Sequence, residues 1–308
     1  MGPTAAGKTA AAFALHERFP VELVSVDSAQ VYRGLDIGSA KPDAATLARH
    51  PHALIDIREP EATYSAADFA ADAGAEIRRI HEAGRWPVLV GGTMLYYRAL
   101  LFGLDPLPPA DPALRRIIAA EAEERGWRAL HAELGRHDPA AAAAIRPADT
   151  QRIQRALEIL RLTGRGPSAH HGHNRLPRLE TLRLVLTPRD RHILHERIVR
   201  RFDAMLEQGF IEEVERLRAR PGLTGAHASM KSVGYRQVWW SLDDGRDPAE
   251  CRHRAVAATR QLAKRQLTAL RGMTGTLWHD SLRERTIDLI FRQVGEFFAR
   301  AQARQTSA

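Results

Sequence analysis

Residues Gly2 to Thr9 read GPTAAGKT: a glycine, four residues, then Gly7, Lys8 and Thr9. No other stretch constrains the fold as strongly, because this pattern works in one structural context only. A buried strand must deliver the loop, and a helix must open at its end, so that backbone N–H groups converge on phosphate oxygens. In that arrangement Gly2, Pro3, Thr4, Ala5, Ala6 and Gly7 form the cradle, Lys8 adds a point charge, and the Thr9 hydroxyl is placed to ligate Mg²⁺. The residues that follow, Thr9 to His16, are alanine-rich and suit a helix. Only Met1 stands before Gly2. The delivering strand is therefore expected upstream, within roughly 8 to 15 further residues, with Met1 internal or a misassigned start.

Beyond the loop, strand and helix patterns alternate, which predicts an α/β core with a parallel sheet. Val21 to Val26 reads as a buried strand ending at Asp27, and Ala53 to Ile57 as a second short one. Tyr64 to Ala83 predicts a helix, with Ser65 as its N-cap and Asp68 three residues on. Trp86 to Val90 is another buried strand, closed by Gly91 and Gly92, and Met94 to Phe102 resumes as helix. At Asp105 to Pro112 the composition shifts to DPLPPADP, whose prolines neither helix nor sheet absorbs. That shift marks a boundary. Residues 1–108 are expected to form the first part of the core, 109–178 a small helical insertion, and 179–308 a second, mostly helical part of the core. The insertion should break at Gly126, Gly135, Pro139 and Pro147. Thr163 to Arg178 predicts an exposed basic loop, and its His170, His171 and His173, with no carboxylate or cysteine nearby in sequence, read as solvated rather than metal-binding. Leu182 to Leu186 should return the chain to the core sheet, with helices from there to the C-terminus and Trp239 and Trp240 in the core.

Charge bears on what such a core binds. Lys plus Arg number 45 against 37 Asp plus Glu, a net charge of +8, and only Lys8, Lys41, Lys231 and Lys264 are lysines. Such an excess fits coding bias laid over a nucleic-acid-binding face better than a functional signal throughout. No apolar run approaches the roughly 20 residues that span a bilayer. The sole cysteine, Cys251, excludes an internal disulfide and any cysteine-rich zinc module, which makes a reducing compartment the expectation.

Two further motifs extend the phosphate loop. DSAQVYRGLDIGSAKP, Asp27 to Pro42, starts where the first strand ends, and ligands of open α/β sheets sit beyond the carboxyl ends of strands. Asp27 should therefore face the phosphate loop across a cleft, unless it merely caps the following turn. In VGGTMLYYRALLFG, Val90 to Gly103, Thr93 stands at a second strand's carboxyl end, either facing the same cleft or as a plain N-cap.

Taken in order, GPTAAGKT, DSAQVYRGLDIGSAKP, GGTMLYYRALLFG, DTQRIQRALEIL, KSVGYRQVW and ATRQLAKRQLTALR resemble the tRNA dimethylallyltransferases, also called tRNA isopentenyltransferases, from Gly2 to about Arg271. The resemblance implies a P-loop NTPase-like, nucleotide-kinase-like core with a helical insertion. It implies transfer of a dimethylallyl group from dimethylallyl diphosphate to N6 of adenosine 37 in tRNAs reading codons that begin with U. It implies Mg²⁺ as cofactor, the tRNA anticodon stem-loop as partner, and a monomeric, cytoplasmic enzyme of bacterial type. Residue by residue, it gives the phosphate loop the allyl donor's diphosphate rather than ATP, Asp27 the role of general base, Thr93 a place near the reacting amine, and Arg201 a diphosphate contact. It places Ser28, Ala29, Gln30, Arg115, Gln151, Arg152, Ile153, Gln154, Arg155, Lys231, Ser232, Val233, Gly234, Tyr235, Arg236, Lys264, Arg265, Gln266 and Arg271 in stretches that touch tRNA. Ser232 departs from the cysteine that family members often carry there.

These residue types suit that chemistry. The adenine N6 lone pair is delocalised, so a carboxylate that orients N6–H and takes its proton raises its reactivity. Lys8, Arg201, Mg²⁺ and loop N–H groups would stabilise the leaving diphosphate. A target buried in a stack must be flipped out to react. Two rivals explain less. An ATP-dependent P-loop kinase leaves the basic C-terminal segments unused, and a non-catalytic RNA-binding protein leaves the phosphate loop without purpose.

Overall fold

In the computed structural model of the chain, which describes residues 1–170, 179–245 and 247–306, the phosphate loop opens directly into helix α1 (Lys8–Arg18), and the chain turns back along strand β1 (Val21–Val26). After the long loop from Asp27 come α2 (Ala44–Arg49), β2 (His52–Ala53), α3 (Ala66–Glu82), β3 (Trp86–Gly91) and α4 (Met94–Phe102). The chain clusters into two compact units, Met1–Leu101 with Leu179–Ala308, and Phe102–Arg178.

β1 is the centre of a parallel sheet in the order β2-β1-β3, with Val21 opposite Trp86 and Val26 opposite Gly91. Its run VELVSV is buried at every position but Glu22 because a parallel strand is covered on both faces. α3 begins as the sequence predicts, with a complete Ser65–Asp68 capping box, and buries Phe69, Ala73, Ile77 and Ile80, spaced along one helical stripe. Phe69 stacks on Tyr96 of α4 at 4.4 Å between centroids, and burying such a ring contributes about 1.5–3 kcal/mol. The expected strand Ala53–Ile57 shrinks to the two residues of β2. Leu54 and Asp56 adopt positive φ (66° and 54°), which takes the chain out of extended geometry.

The second half of this unit differs from expectation. β4 (Arg183–Thr187) does not extend the first sheet's ladder but pairs in parallel with β5 (Thr276–Asp280), a strand that the all-helical expectation for the C-terminal region misses. Met1 lies along β4, its amino group donating to the Leu184 carbonyl (2.8 Å) and its carbonyl accepting from Leu186 N–H (2.9 Å). Around these strands lie α9 (Arg191–Glu207), α10 (Phe210–Arg218), α11 (Tyr235–Asp244), α12 (Pro248–Arg271) and α13 (Thr286–Thr306). Trp239 is buried, but Trp240 is 48% exposed beneath the Arg236 guanidinium, so only one of the pair belongs to the core.

The other unit is helical: α5 (Pro112–Arg125), α6 (Trp127–His137), α7 (Pro139–Ala144) and α8 (Thr150–Thr163). Asp111 and Asp138 cap helices that start on proline, and Asp149 caps α8. Ile118, Leu130, Leu134, Ile153 and Leu157 are fully buried among these helices. Gly135 does not break α6. One glycine costs a helix about 1 kcal/mol relative to alanine, and the apolar stripe on either side outweighs that. Of the expected loop Thr163–Arg178, Pro167–His170 forms a 3₁₀ turn tied down by Ser168 to the Asp138 carboxylate, with Pro167 buried, while His171 to Arg178 lie outside the described residues.

Candidate active site

Gly7 sits at φ 87°, a left-handed conformation that costs glycine nothing, and it is the residue from which α1 departs. Ala5 shares a positive φ of 61°. The loop thus curls its backbone N–H groups around the start of the helix, as an anion cradle requires. Lys8 is folded back, its Nζ donating to the Pro3 carbonyl (2.6 Å). Arg201, from α9, donates to Thr4 Oγ1 (3.2 Å) and to the Ser39 carbonyl (3.3 Å), bridging the phosphate loop and the Asp27–Pro42 loop. Burial, with Arg201 beside it, pulls the Lys8 ammonium down to about 8, against a smaller upward pull from Asp27. Burial also lowers the Arg201 guanidinium, again opposed by Asp27. These are cations short of negative charge. An incoming anion would relieve the penalty.

Asp27 follows β1 directly. Its Oδ1 accepts from Ala29 N–H (2.9 Å) and Gln30 N–H (3.4 Å), the turn-capping role, while Oδ2 makes no hydrogen bond within the described chain. Both sequence readings of Asp27 therefore apply, one to each oxygen. Thr93 follows β3. Its N–H donates to the Val26 carbonyl (3.2 Å), and its Oγ1 accepts from Ser28 N–H (3.1 Å), which ties the ends of the two strands together. The sequence-predicted catalytic residues Lys8, Asp27, Thr93 and Arg201 all lie in the one compact unit. Thr9 is exposed on the first turn of α1.

Several residues expected to touch tRNA make hydrogen bonds within the protein, some of which hold the site together. Gln266 is 9% exposed; its Oε1 accepts from Thr4 N–H (3.0 Å) and its Nε2 donates to the Gly92 carbonyl (2.9 Å), so it fastens the phosphate loop to the turn before Thr93. Gln30 spends its amide on Ser25 Oγ (3.0 Å) and the carbonyls of Ser39 (3.4 Å) and Ala40 (3.3 Å). Gly234 and Tyr235 are buried at the start of α11, Ser232, Val233 and Arg236 are half-buried, and Lys231 alone of that segment is exposed. In α8, Gln151 and Arg152 are exposed, but Ile153 is a core residue. Gln154 donates to the Arg115 carbonyl (3.0 Å), and Arg115 and Arg155 both bind the buried Glu158 carboxylate. Ser28, Lys264, Arg265 and Arg271 are exposed, and Ala29 is half-buried.

Sequence reasoning missed three contributors. Arg197 stands one turn before Arg201 on α9; a Cβ built on Gly7 would lie 4.0 Å from its Nη1. The i, i+4 spacing of two arginines was the available signal. Lys41, read from the sequence as one of four lysines and part of the Asp27–Pro42 motif but given no role, has a side chain that is 3% exposed and clamped between Asp36 (2.6 Å) and Asp56 (2.5 Å), which fixes the end of the Asp27–Pro42 loop. Glu213 carried no signal, because its partners lie far off in sequence.

No group of three or more His, Cys, Asp or Glu side chains gathers around one point among the described residues. The Thr9 hydroxyl and the unpaired Asp27 oxygen are hard donors of the kind Mg²⁺ takes one or two at a time, the rest coming from substrate oxygens and water.

Comparison with known proteins agrees with this geometry. The pattern of the IPP transferase family matches residues 30–273. A tRNA dimethylallyltransferase of Thiobacillus denitrificans is 58% identical over 283 residues, covering 92% of this chain and 90% of that protein, and one of Stenotrophomonas maltophilia is 57% identical over 288 residues, covering 91% and 90%. Among solved structures, the full-length tRNA isopentenylpyrophosphate transferase of Bacillus halodurans superposes with a TM-score of 0.71 at 36% identity, covering 99% of this chain and 97% of that one. A eukaryotic dimethylallyltransferase, at 24% identity and a TM-score of 0.76, covering 97% of this chain and 78% of its own, shares the fold. That fold is the P-loop NTPase-like α/β core with a parallel sheet expected from the sequence. With half-buried cations at a phosphate loop, a carboxylate beyond the adjoining strand and this likeness along nearly its whole length, the chain belongs to the IPP transferase family.

Proposed function

We propose that the protein transfers a dimethylallyl group from dimethylallyl diphosphate to N6 of adenosine 37 in tRNAs that read codons beginning with U, releasing diphosphate. The observation that carries this reading is the pairing of half-buried, under-compensated Lys8 and Arg201 at the phosphate loop with an Asp27 oxygen free to take a proton. The N6 lone pair attacks the allylic carbon as its bond to the diphosphate oxygen breaks, and the N6 proton passes to Asp27 Oδ2. Lys8, Arg201 and the N–H groups of the loop from Gly2 to Thr9, Pro3 and the Gln266-bound Thr4 excepted, receive the charge that builds on the leaving diphosphate. Thr9 would hold Mg²⁺, which supplies further neutralisation of that charge. The Thr93 hydroxyl, held by Ser28, orients the amine. Exposed Ser28, Gln151, Arg152, Lys231, Lys264, Arg265 and Arg271 are open to meet tRNA. No helix among the described residues is long and apolar enough to cross a membrane.

The test incubates the protein and unmodified tRNA with labelled dimethylallyl diphosphate, and separately with labelled ATP. Incorporation from the allyl donor alone is the expected result, and Asp27→Ala should lower turnover by about 10² to 10⁴ with tRNA binding retained. Phosphoryl transfer from ATP, or binding of tRNA without turnover, would overturn the assignment.

A further inference from the structure

Glu213, on α10, is 3% exposed and forms no ion pair with a lysine or arginine among the described residues. Its carboxylate is satisfied by other means. Oε2 accepts from the N–H groups of Asp36 (3.2 Å) and Ile37 (2.7 Å), and Oε1 from Gly38 N–H (3.2 Å) and the Tyr235 hydroxyl (2.5 Å). Three successive N–H groups converging on one anion form a nest, the arrangement backbones use to hold phosphates, here occupied by the protein's own side chain. Burial, with Glu213 beside it, raises the Tyr235 phenol well above its ordinary value, which keeps that hydroxyl protonated as a donor.

The nest ends one residue short of Ser39. The Ser39 carbonyl accepts from Arg201 (3.3 Å) and from Gln30 (3.4 Å), and the Ser39 hydroxyl donates to the Leu35 carbonyl (2.6 Å). Gly38 leaves no slack: a Cβ there would stand 2.0 Å from the Phe210 ring and 2.7 Å from Tyr235. The loop is thus pressed against α10 and α11, and its height above the site is set by how Glu213 draws in the three N–H groups.

We propose that Glu213 is a positioning residue for the donor half of the site: by occupying the nest at residues 36–38 it places the Ser39 carbonyl that aims Arg201 at the diphosphate and anchors Gln30 beside Asp27. The role rests on the allyl-transfer reading for its substrate, but not for its geometry. In Glu213→Gln the amide oxygen can keep Asp36 and Ile37, and its NH₂ then points at Gly38 N–H, a donor facing a donor next to Ser39. Tyr235→Phe removes one bond from the same oxygen and leaves the fold's apolar contacts in place.

The experiment measures the KM for dimethylallyl diphosphate, kcat, tRNA affinity by filter binding, and the Kd of inorganic diphosphate by calorimetry. Glu213→Gln should raise the donor KM and the diphosphate Kd about tenfold, and Tyr235→Phe about threefold, with tRNA affinity within about twofold of the parent. Adding Glu213→Gln to Arg201→Ala should cost no further diphosphate affinity, because the one acts through the other. Folded variants that leave both donor constants within about twofold, or that add independently to Arg201→Ala, would overturn the proposal. Should Glu213→Gln fail to fold, the Tyr235→Phe and Arg201→Ala cycle decides in the same way. A parent enzyme that binds diphosphate but transfers no allyl group would sink the proposed function while leaving the Glu213 test intact.

Discussion

The helical unit and the site treat basic residues in opposite ways. Among α5, α6 and α8, arginines meet carboxylates: Arg161 forks onto Glu121 (2.8 and 2.7 Å) and reaches Glu133 (3.0 Å), Arg125 also reaches Glu133 (2.9 Å), and Arg115 and Arg155 close on Glu158, whose side chain is fully buried. At the phosphate loop, Lys8 and Arg201 donate only to neutral oxygens, and Arg197 has no ion pair among the described residues. The first set is compensated and serves the fold. The second is left with charge to spend on a ligand. The +8 of the sequence is therefore not one signal, and position relative to carboxylates separates the paired arginines of the helical unit from the unpaired cations at the phosphate loop.

The contrast breaks most directly at Arg201. Arg201→Ala should lower kcat/KM for the allyl donor by about 10² to 10³ without loss of thermal stability, because it removes a half-buried cation that forms no ion pair with a carboxylate among the described residues. A drop in Tm with little change in kcat/KM would place Arg201 with the structural arginines.

Glu158→Gln is the converse. It leaves Arg115 and Arg155 without their carboxylate and should destabilise by about 3 kcal/mol in urea unfolding, with donor binding unchanged below the transition. Burial pushes the Glu158 carboxyl up, but bonds from Arg115 and Arg155 prevail and hold it below its ordinary value of 4.5. Its contribution is therefore present above that value and lost as pH falls through the lowered one. Parent stability should drop on acidification over that range, and the variant should show less of this slope.

The smallest effect is a pH dependence. With Lys8 near 8, diphosphate is bound best by the protonated ammonium, so the donor KM should rise several-fold as pH climbs from about 7 to about 9. Lys8→Arg, charged throughout, should flatten that profile. An unchanged profile would remove Lys8 from donor binding.

Much of the site was legible in the sequence because its chemistry is written locally. GPTAAGKT dictates a loop and helix, Asp27 and Thr93 stand directly after apolar strand runs, and the Ser65–Asp68 box starts α3 as read. What was not legible depends on residues that meet across the fold. Gln266 reads as part of a basic tRNA-contacting stretch until the structure brings it to Thr4, 262 residues away in sequence, and Tyr235 reads as part of another until it meets Glu213. β5 escaped because five residues with an exposed Leu277 and Trp278 carry no clean period and pair only once β4 is in place.

By itself, then, the sequence determined the loop-and-helix motif at Gly2 to Thr9, the α/β order and the place of Asp27 at the end of a strand, all of which follow from steric and hydrogen-bonding rules that act within a few residues. The tertiary structure alone decided which cations stay uncompensated and which polar residues brace the site. Both depend on which distant groups are brought within about 3 Å, and Coulomb and hydrogen-bond energies fall off too steeply with distance for sequence neighbours to stand in for them.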